Sequence, residues 1–249
     1  MQGRSLFPLE IDKWDSNFFK VKIARLRISQ KMARGDFSAQ MSRLLLLARK
    51  NKADFLVVKL ACKNPSYGRV LAGFGFKKYS ESVDLVFKYP ARADRKLVCG
   101  CKLRLLSSRD RPAVRNIAKD AFRLSYFYKC GFAKEEVVGA YHSQWAQNFS
   151  RDRNSKVFVA EKDKKVVGFI ALRLDKRKNS ARIILVAVDK CYRGLGIGSA
   201  LVGKCINWGR KGLKEIFVMT QGDNRMALAL YRRMGFKAIG REKVFCIKL

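Results

Sequence analysis

The stretch Asp189-Lys190-Cys191-Tyr192-Arg193-Gly194-Leu195-Gly196-Ile197-Gly198 decides how the rest of the chain is read. An apolar, β-branched run, Ile183 to Val188, precedes it, and Leu201, Val202, Cys205, Ile206 and Trp208 follow at helical spacing. The order is strand, glycine loop, helix. Glycines at alternate positions let backbone N–H groups turn inward with no Cβ in the way, and a new helix adds free N–H groups at the positive end of its dipole. The product is an anion cradle, most simply for a diphosphate. The loop lacks the Gly-Lys-Ser/Thr ending of a P-loop and the six-residue glycine spacing of a dinucleotide fingerprint. A glycine-rich loop alone also fits a flexible connection, so the reading leans on a second stretch. Asn224-x-x-Ala227-x-x-x-Tyr231-x-x-x-Gly235-Phe236 follows another strand, Glu215 to Thr220, at the distance that one strand and one helix require.

Together these stretches resemble the GNAT superfamily of N-acetyltransferases, whose acyl-CoA loop has the form Arg/Gln-x-x-Gly-x-Gly/Ala, here Arg193-Gly194-Leu195-Gly196-Ile197-Gly198. The resemblance implies acetyl-CoA as co-substrate, with its pyrophosphate on the backbone from Arg193 to Ser199. It also implies that the pantetheine arm pairs like an added strand with Val186, Ala187 and Val188, that Asn224 lies beside it, and that Tyr231 is the general acid. Independently, Ala227, Leu230, Tyr231 and Met234 share one helical face, so Tyr231 points at the sheet; a packed core tyrosine is the plainer alternative. No base is legible. Ile183 to Val188 holds no carboxylate, and Met219 stands where peptide N-terminal acetyltransferases of this superfamily often carry Glu. A water chain or an amine of low pKa would serve. His142 is an alternative by its titration range, although a single helical histidine is more often structural.

The 249 residues can form one large domain or two small ones, and a 48% hydrophobic content argues against disorder. The 54 Lys and Arg against 20 Asp and Glu give a formal charge of +34, a field that draws in nucleic acid, membrane surfaces or phosphorylated small molecules. These basic residues are scattered, which also fits a generally basic surface. Seven cysteines form no C-x-x-C pair and only one histidine exists, so neither a disulfide framework nor a metal site is expected. No apolar run approaches the roughly 18 residues of a membrane helix, and the start does not read as a signal peptide. The expected location is the cytoplasm.

In chain order the pattern predicts a strand near Val21 to Ile28 after an irregular start and a helix over Asp36 to Lys50. A strand Phe55 to Leu60, a short helix ending near Gly73 and a strand Val83 to Tyr89 follow. A shift of 160 positions lays 53–88 on 213–248 without a gap, bringing Asn64 onto Asn224, Gly75-Phe76-Lys77 onto Gly235-Phe236-Lys237, and Leu71 opposite Tyr231. Nothing like Gly194 to Gly198 precedes the first copy's helix. The expectation is a degenerate GNAT-like domain over 1–90, a linker over Ala91 to Leu97, and the acetyltransferase domain over 98–249. In that second half a strand near Val98 to Leu105, helices Asp110 to Phe122 and Glu135 to Phe149, and a hairpin across Asp163-Lys164-Lys165 come before the glycine loop. The expected fold class is α/β: a GNAT fold, with a mixed, mostly antiparallel sheet flanked by helices, preceded by the degenerate half.

Three further stretches resemble a narrower family, the two-domain TDP-fucosamine acetyltransferases and related nucleotide-amino-sugar N-acetyltransferases. They are Pro8-Leu9 with Trp14-Asp15-Ser16-Asn17-Phe18-Phe19, Tyr141-His142-Ser143-Gln144-Trp145 with Asn148, and Thr220-Gln221 ahead of Asn224. Lys20 sits where glycine is expected in many relatives. The resemblance implies an N-acetyltransferase acting on a nucleotide-linked amino sugar, with Trp145, Tyr141 and Gln221 toward the substrate. The rival readings are a protein, peptide or other small-amine acetyltransferase and a nucleic-acid-binding module with a vestigial cofactor site. Expected partners are the small-molecule amine acceptor, non-specifically bound nucleic acid and a second copy in a homodimer.

Overall fold

Period-two alternation sets the sheet of the N-terminal part. In a computed structural model of the chain, which describes residues 8–28, 34–61, 65–89 and 99–249, β1 (Glu10–Ile11) pairs antiparallel with β2 (Ile23–Ile28). Next, β2 pairs in parallel with β3 (Phe55–Ala61), Ile23 opposite Phe55, and β3 pairs antiparallel with β10 (Lys237–Lys248), Val58 opposite Phe245. Ala24, Leu26, Ile28, Leu56, Val58 and Leu60 all turn to one face. There they bury against Phe37, Met41 and Leu44 of α2 (Arg34–Lys50) and Tyr67 and Leu71 of α3 (Pro65–Gly73). The intervening side chains face the other way, where α1 (Lys13–Phe19) and residues 125–134 pack: Phe19 on Phe127 at 5.5 Å and Phe55 on Phe132 at 4.8 Å between ring centroids. Arg25, on that face, bridges Asp12 and Asp15.

The irregular start expected before β2 therefore contains a helix. Asp12 caps α1 by accepting the Asp15 N–H at 2.8 Å. The helix ends at Lys20 with φ +56, a left-handed conformation that explains why glycine suits this position. Asn64 and the expected linker over 91–97 lie outside the described residues.

The second body of the chain carries β4 (Lys77–Lys88) from Val83 onward, then β9 (Glu215–Gln221), β8 (Ser180–Val188), β7 (Lys165–Asp175), β6 (Ser155–Lys162) and β5 (Lys102–Leu105) in that spatial order. Only β8 and β9 run parallel among the pairs β5–β6, β6–β7, β7–β8 and β8–β9. Alternation sorts the core onto two faces. Phe158, Ile170, Leu172 and Ile183 pack with α6 (Ile197–Gly209) and α7 (Arg225–Arg233), while Val157, Val159, Phe169, Leu185 and Ala187 pack with α4 (Arg111–Ala121) and α5 (Glu135–Arg151). No helix among the described residues is long and apolar enough to cross a membrane.

The compact units are not successive in the chain. One takes residues up to Ser82 together with Ser125–Lys134 and Gly240–Leu249; the other takes Val83–Leu124 and Glu135–Ile239. The end of the chain belongs to the first unit because β3 is its antiparallel partner. Conversely Val83, Leu85 and Phe87, at 2% exposure or less, lie in the core of the second.

Under the shift of 160 positions, β3, α3 and β4 fall on β9, α7 and β10 with identical bounds. Both helices end alike: Gly75 and Gly235 have φ +86 and +88, and the Phe76 and Phe236 N–H groups donate to Leu71 and Tyr231 at 3.1 and 3.0 Å. Equivalent positions also touch one another, Arg241 on Glu81 and the Ser82 hydroxyl on the Glu242 carbonyl.

A forked sheet and a glycine loop as the candidate active site

The parallel pairing of β8 with β9 begins at Ser180 opposite Glu215 and stops at Ile183 opposite Val218, although both strands continue. The cause lies on the other edge. Between β7 and β8 the register slips: Ala171 faces Leu185 and Leu172 faces Ile183, leaving Ile184 as the extra residue of a β-bulge. A bulge bends and twists its strand, and beyond this one β8 leaves β9. The extra residue is visible in the packing, since Ile184 and Leu185 both turn to the α4–α5 core while Ile183 and Val186 turn to the other.

The opened edge is not blank. Asp189 donates its N–H to the Val167 carbonyl at 2.9 Å just beyond the Gly168–Val188 pair. By the alternation of an antiparallel ladder, Phe169 and Ala187 bond each other, and Val186 and Val188 turn their backbone groups to the edge that β9 has left. Arg193 folds back so that its Nε donates to the Val188 carbonyl at 3.2 Å. The Val188 N–H and both backbone groups of Val186 remain as strand-like partners for an extended chain.

At the mouth of the fork stands the glycine loop. Gly194 and Gly196 have φ +81 and +75, left-handed values at which a Cβ would be strained, and Gly196 leads directly into α6. The N–H groups of Ile197, Gly198 and Ser199 come before the first intrahelical bond, and no other backbone acceptor among the described residues takes them. A Cβ at Gly198 would stand 3.2 Å from Leu230 Cδ1 and 4.0 Å from Val188 Cγ2, so loop, β8 and α7 converge there. These features fit the pyrophosphate and pantetheine arm of an acyl-CoA: free N–H groups at a helix start, then an unpaired strand edge.

Tyr231, next to Leu230 on α7, is 3% exposed and shares the core cluster that Val186 and Val188 border. Its hydroxyl has no hydrogen-bond partner among the described residues. Burial, aided by nearby Cys205, pushes its phenol above the usual range and keeps it protonated. Asn224 has a structural task as well: its side chain accepts the Ala227 N–H at 3.1 Å and caps α7. Gln221 ends β9 beyond the segment paired with β8, with a buried Oε1 that has no partner among the described residues. Met219, two residues before Gln221 on β9, is 45% exposed.

The α5 residues lie elsewhere. Trp145 packs on the α4–α5 core, on the opposite face from α6 and α7, 6.1 Å from Tyr141 and 5.9 Å from Phe149 between ring centroids. His142 is 1% exposed, its Nδ1–H donates to the Val138 carbonyl at 2.9 Å, and burial lowers its pKa to about 4. A neutral, sealed imidazole in a helix interior is structural, so the histidine alternative for the base does not hold.

A groove of about 640 Å³ opens beside Asp189, lined by α4, by the turn between β6 and β7, and by Arg104. Asp110 takes both Nη atoms of Arg104 at 2.6 and 2.9 Å, and Glu161 takes Nε at 2.9 Å. This guanidinium holds the Asp110 carboxyl well below the usual range. Arg109, Lys164 and Lys165 also line the groove. Sequence reasoning missed both this triad and the bulge, whose residues are separated along the chain or hidden in an apolar run.

A mixed sheet forked beside a glycine loop that starts a helix is the architecture of an acyl-CoA-dependent acetyltransferase. The acetyltransferase (GNAT) family matches residues 112–236, half of the chain, and the chain belongs to that family. An uncharacterized N-acetyltransferase of Methanocaldococcus jannaschii is 30% identical over 135 residues, 50% of this chain and 60% of its own length. The spore coat polysaccharide biosynthesis protein SpsD of Bacillus subtilis is 21% identical over 239 residues, 96% of this chain and 81% of its own. Among solved structures, a tandem GNAT protein from the clavulanic acid biosynthesis pathway shares the fold with a TM-score of 0.61 at 17% identity, over 91% of this chain and 75% of that one. The chain spans about half to 60% of the length of several curated N-acetyltransferases that it matches.

Proposed function

We propose that the chain is an acetyl-CoA-dependent N-acetyltransferase whose acceptor is an amino sugar carried on a nucleotide diphosphate. The observation that carries the first part is the fork: β8 parts from β9 at the Ile184 bulge, where the N–H groups of Ile197 to Ser199 await an anion. Acetyl-CoA supplies the activated acetyl group. Ile197, Gly198 and Ser199 hold its pyrophosphate through their N–H groups, the edge of Val186 and Val188 aligns the pantetheine amides, and the Tyr231 hydroxyl delivers a proton to the departing sulfur. From Ile183 to Val188 there is no carboxylate, so the acceptor amine arrives uncharged or loses its proton to water. The chain works in the cytoplasm in this reading, and nucleic acid binds its basic surface without specificity.

The acceptor class rests on how far each likeness extends. The M. jannaschii relative aligns with half of the chain, whereas the relative named for polysaccharide biosynthesis aligns with nearly all of it, including the half that has no glycine loop. That half is a degenerate copy with Leu71 in place of Tyr231. A +34 protein suits a diphosphate-bearing acceptor and repels polyamines. The test is transfer of label from acetyl-CoA to nucleotide-linked amino sugars, free amino sugars and peptides in parallel. Nucleotide-linked sugars should be preferred, with an acceptor KM that rises with salt as screening shortens from about 10 Å at 0.1 M to about 3 Å at 1 M. Equal use of the free sugar, or use of peptides alone, would remove the acceptor assignment.

A further inference from the structure

We propose that Cys99 and Cys101, separated by Gly100 at the entry to β5, form a reversible dithiol–disulfide site. Among the described cysteines, Cys130, Cys205 and Cys246 are buried and Cys191 is exposed without another cysteine close in sequence, whereas Cys99 and Cys101 are both partly exposed. The backbone already brings the two together. Gly100 has φ +59 with nothing within 4 Å of a Cβ built on it, and the Cys99 Sγ leans over to 3.8 Å from the Cys101 carbonyl oxygen. Successive Cα atoms are about 3.8 Å apart, so an extended i to i+2 span is about 7 Å, just beyond the roughly 4.4–6.8 Å that a disulfide accepts. A left-handed residue between them shortens that span, and glycine takes this conformation without strain. No group of three or more His, Cys, Asp or Glu side chains among the described residues could hold a metal ion. Thiol–disulfide exchange is the chemistry that two thiols can perform unaided.

Exchange begins when the thiolate of one cysteine attacks a sulfur of a small disulfide such as glutathione disulfide, forming a mixed disulfide and releasing one glutathione. The second thiolate then attacks the protein sulfur of that mixed disulfide and releases the second glutathione. The pair loses two electrons and two protons, and the small disulfide is reduced to two thiols. Burial and the adjoining Cys99 thiol push the Cys101 thiol up while Lys162 pulls it down. The pair therefore exchanges faster as pH rises above neutral.

The sequence provides a direct readout, because trypsin cuts after Lys96 and Lys102 and releases Leu97-Val98-Cys99-Gly100-Cys101-Lys102 with both cysteines and no others. The native full-length chain would be equilibrated with excess glutathione disulfide, quenched in acid, alkylated, digested and weighed. The expected result is this peptide with an internal disulfide, returned to two alkylated thiols by prior dithiothreitol, and a glutathione adduct on Cys101 in Cys99→Ser. Two alkylated thiols after oxidation, or separate glutathione adducts on both cysteines of the native chain, would overturn the proposal. Neither readout depends on acetyl transfer.

Discussion

Tyr231 and His142 show how differently two buried polar side chains are placed. Tyr231 packs against Phe236 at 5.5 Å between ring centroids, which orients the ring, and its hydroxyl has no hydrogen-bond partner among the described residues. In Tyr231→Phe the packing survives and the proton donor is lost, so kcat should fall by about 10²-fold, the lower end for general acid catalysis. Acetyl-CoA affinity should change little, and an unaltered kcat would make Tyr231 a packing residue only. His142 has its proton fixed on Val138, and its pKa is lowered from 6.5 to about 4 by burial. Between those values the unfolded chain binds a proton that the folded chain refuses. The contribution to stability is therefore complete above about pH 6.5 and is lost as pH falls toward about 4, about 3 kcal/mol in all. Since the chain has one histidine, its imidazole resonances report this directly. They should titrate near pH 4, and a midpoint at 6.5 or above would contradict the sealed site.

The glycine loop and the fork depend on backbone conformation, and the loop can be tested without disturbing the turn. Gly194 and Gly196 need left-handed φ, so substituting either would confuse folding with binding. At Gly198 the main obstacle to a methyl group is the mobile end of Leu230. Gly198→Ala should shift stability by no more than about 1 kcal/mol, because gained helix propensity offsets the tight contact. Acetyl-CoA affinity should fall by about tenfold or more as the methyl group crowds the cradle, and titration calorimetry beside thermal melting separates the two effects. The loop was legible in sequence because glycine spacing encodes it locally, and so were β3, α3, the part of β4 from Val83 onward and their counterparts, because the same pattern of apolar residues and a Gly-Phe pair occurs twice. The Ile184 bulge was not legible: Ile183-Ile184-Leu185 is apolar throughout, and a uniformly apolar run carries no mark of which residue lacks a partner. Helix α1 was missed because seven residues hold too few turns to show a period, and its cap, Asp12, is recognisable only once the helix is known.

Neither compact unit is a single continuous segment, and this bears on how the molecule can be cut. Read from sequence, 98–249 is the acetyltransferase domain; in the structure Val83, Leu85 and Phe87 complete its core, and Gly240–Leu249 leaves to pair with β3. Burial of three such side chains is worth about 1.5–3 kcal/mol each, together comparable with the whole stability of a domain. The fragment 98–249 should therefore show no cooperative unfolding transition, and a fragment that melts cooperatively and binds acetyl-CoA would show that β4 is dispensable. If acetyl-CoA lies along the edge opened by the bulge, with the glycine loop at its mouth, binding must protect the backbone there. Residue-resolved amide hydrogen exchange on the full chain, with and without acetyl-CoA, tests it most directly. Exchange at Val186 and Val188 and at Ile197, Gly198 and Ser199 should slow on binding; tight binding of acetyl-CoA with these five amides unchanged would contradict it.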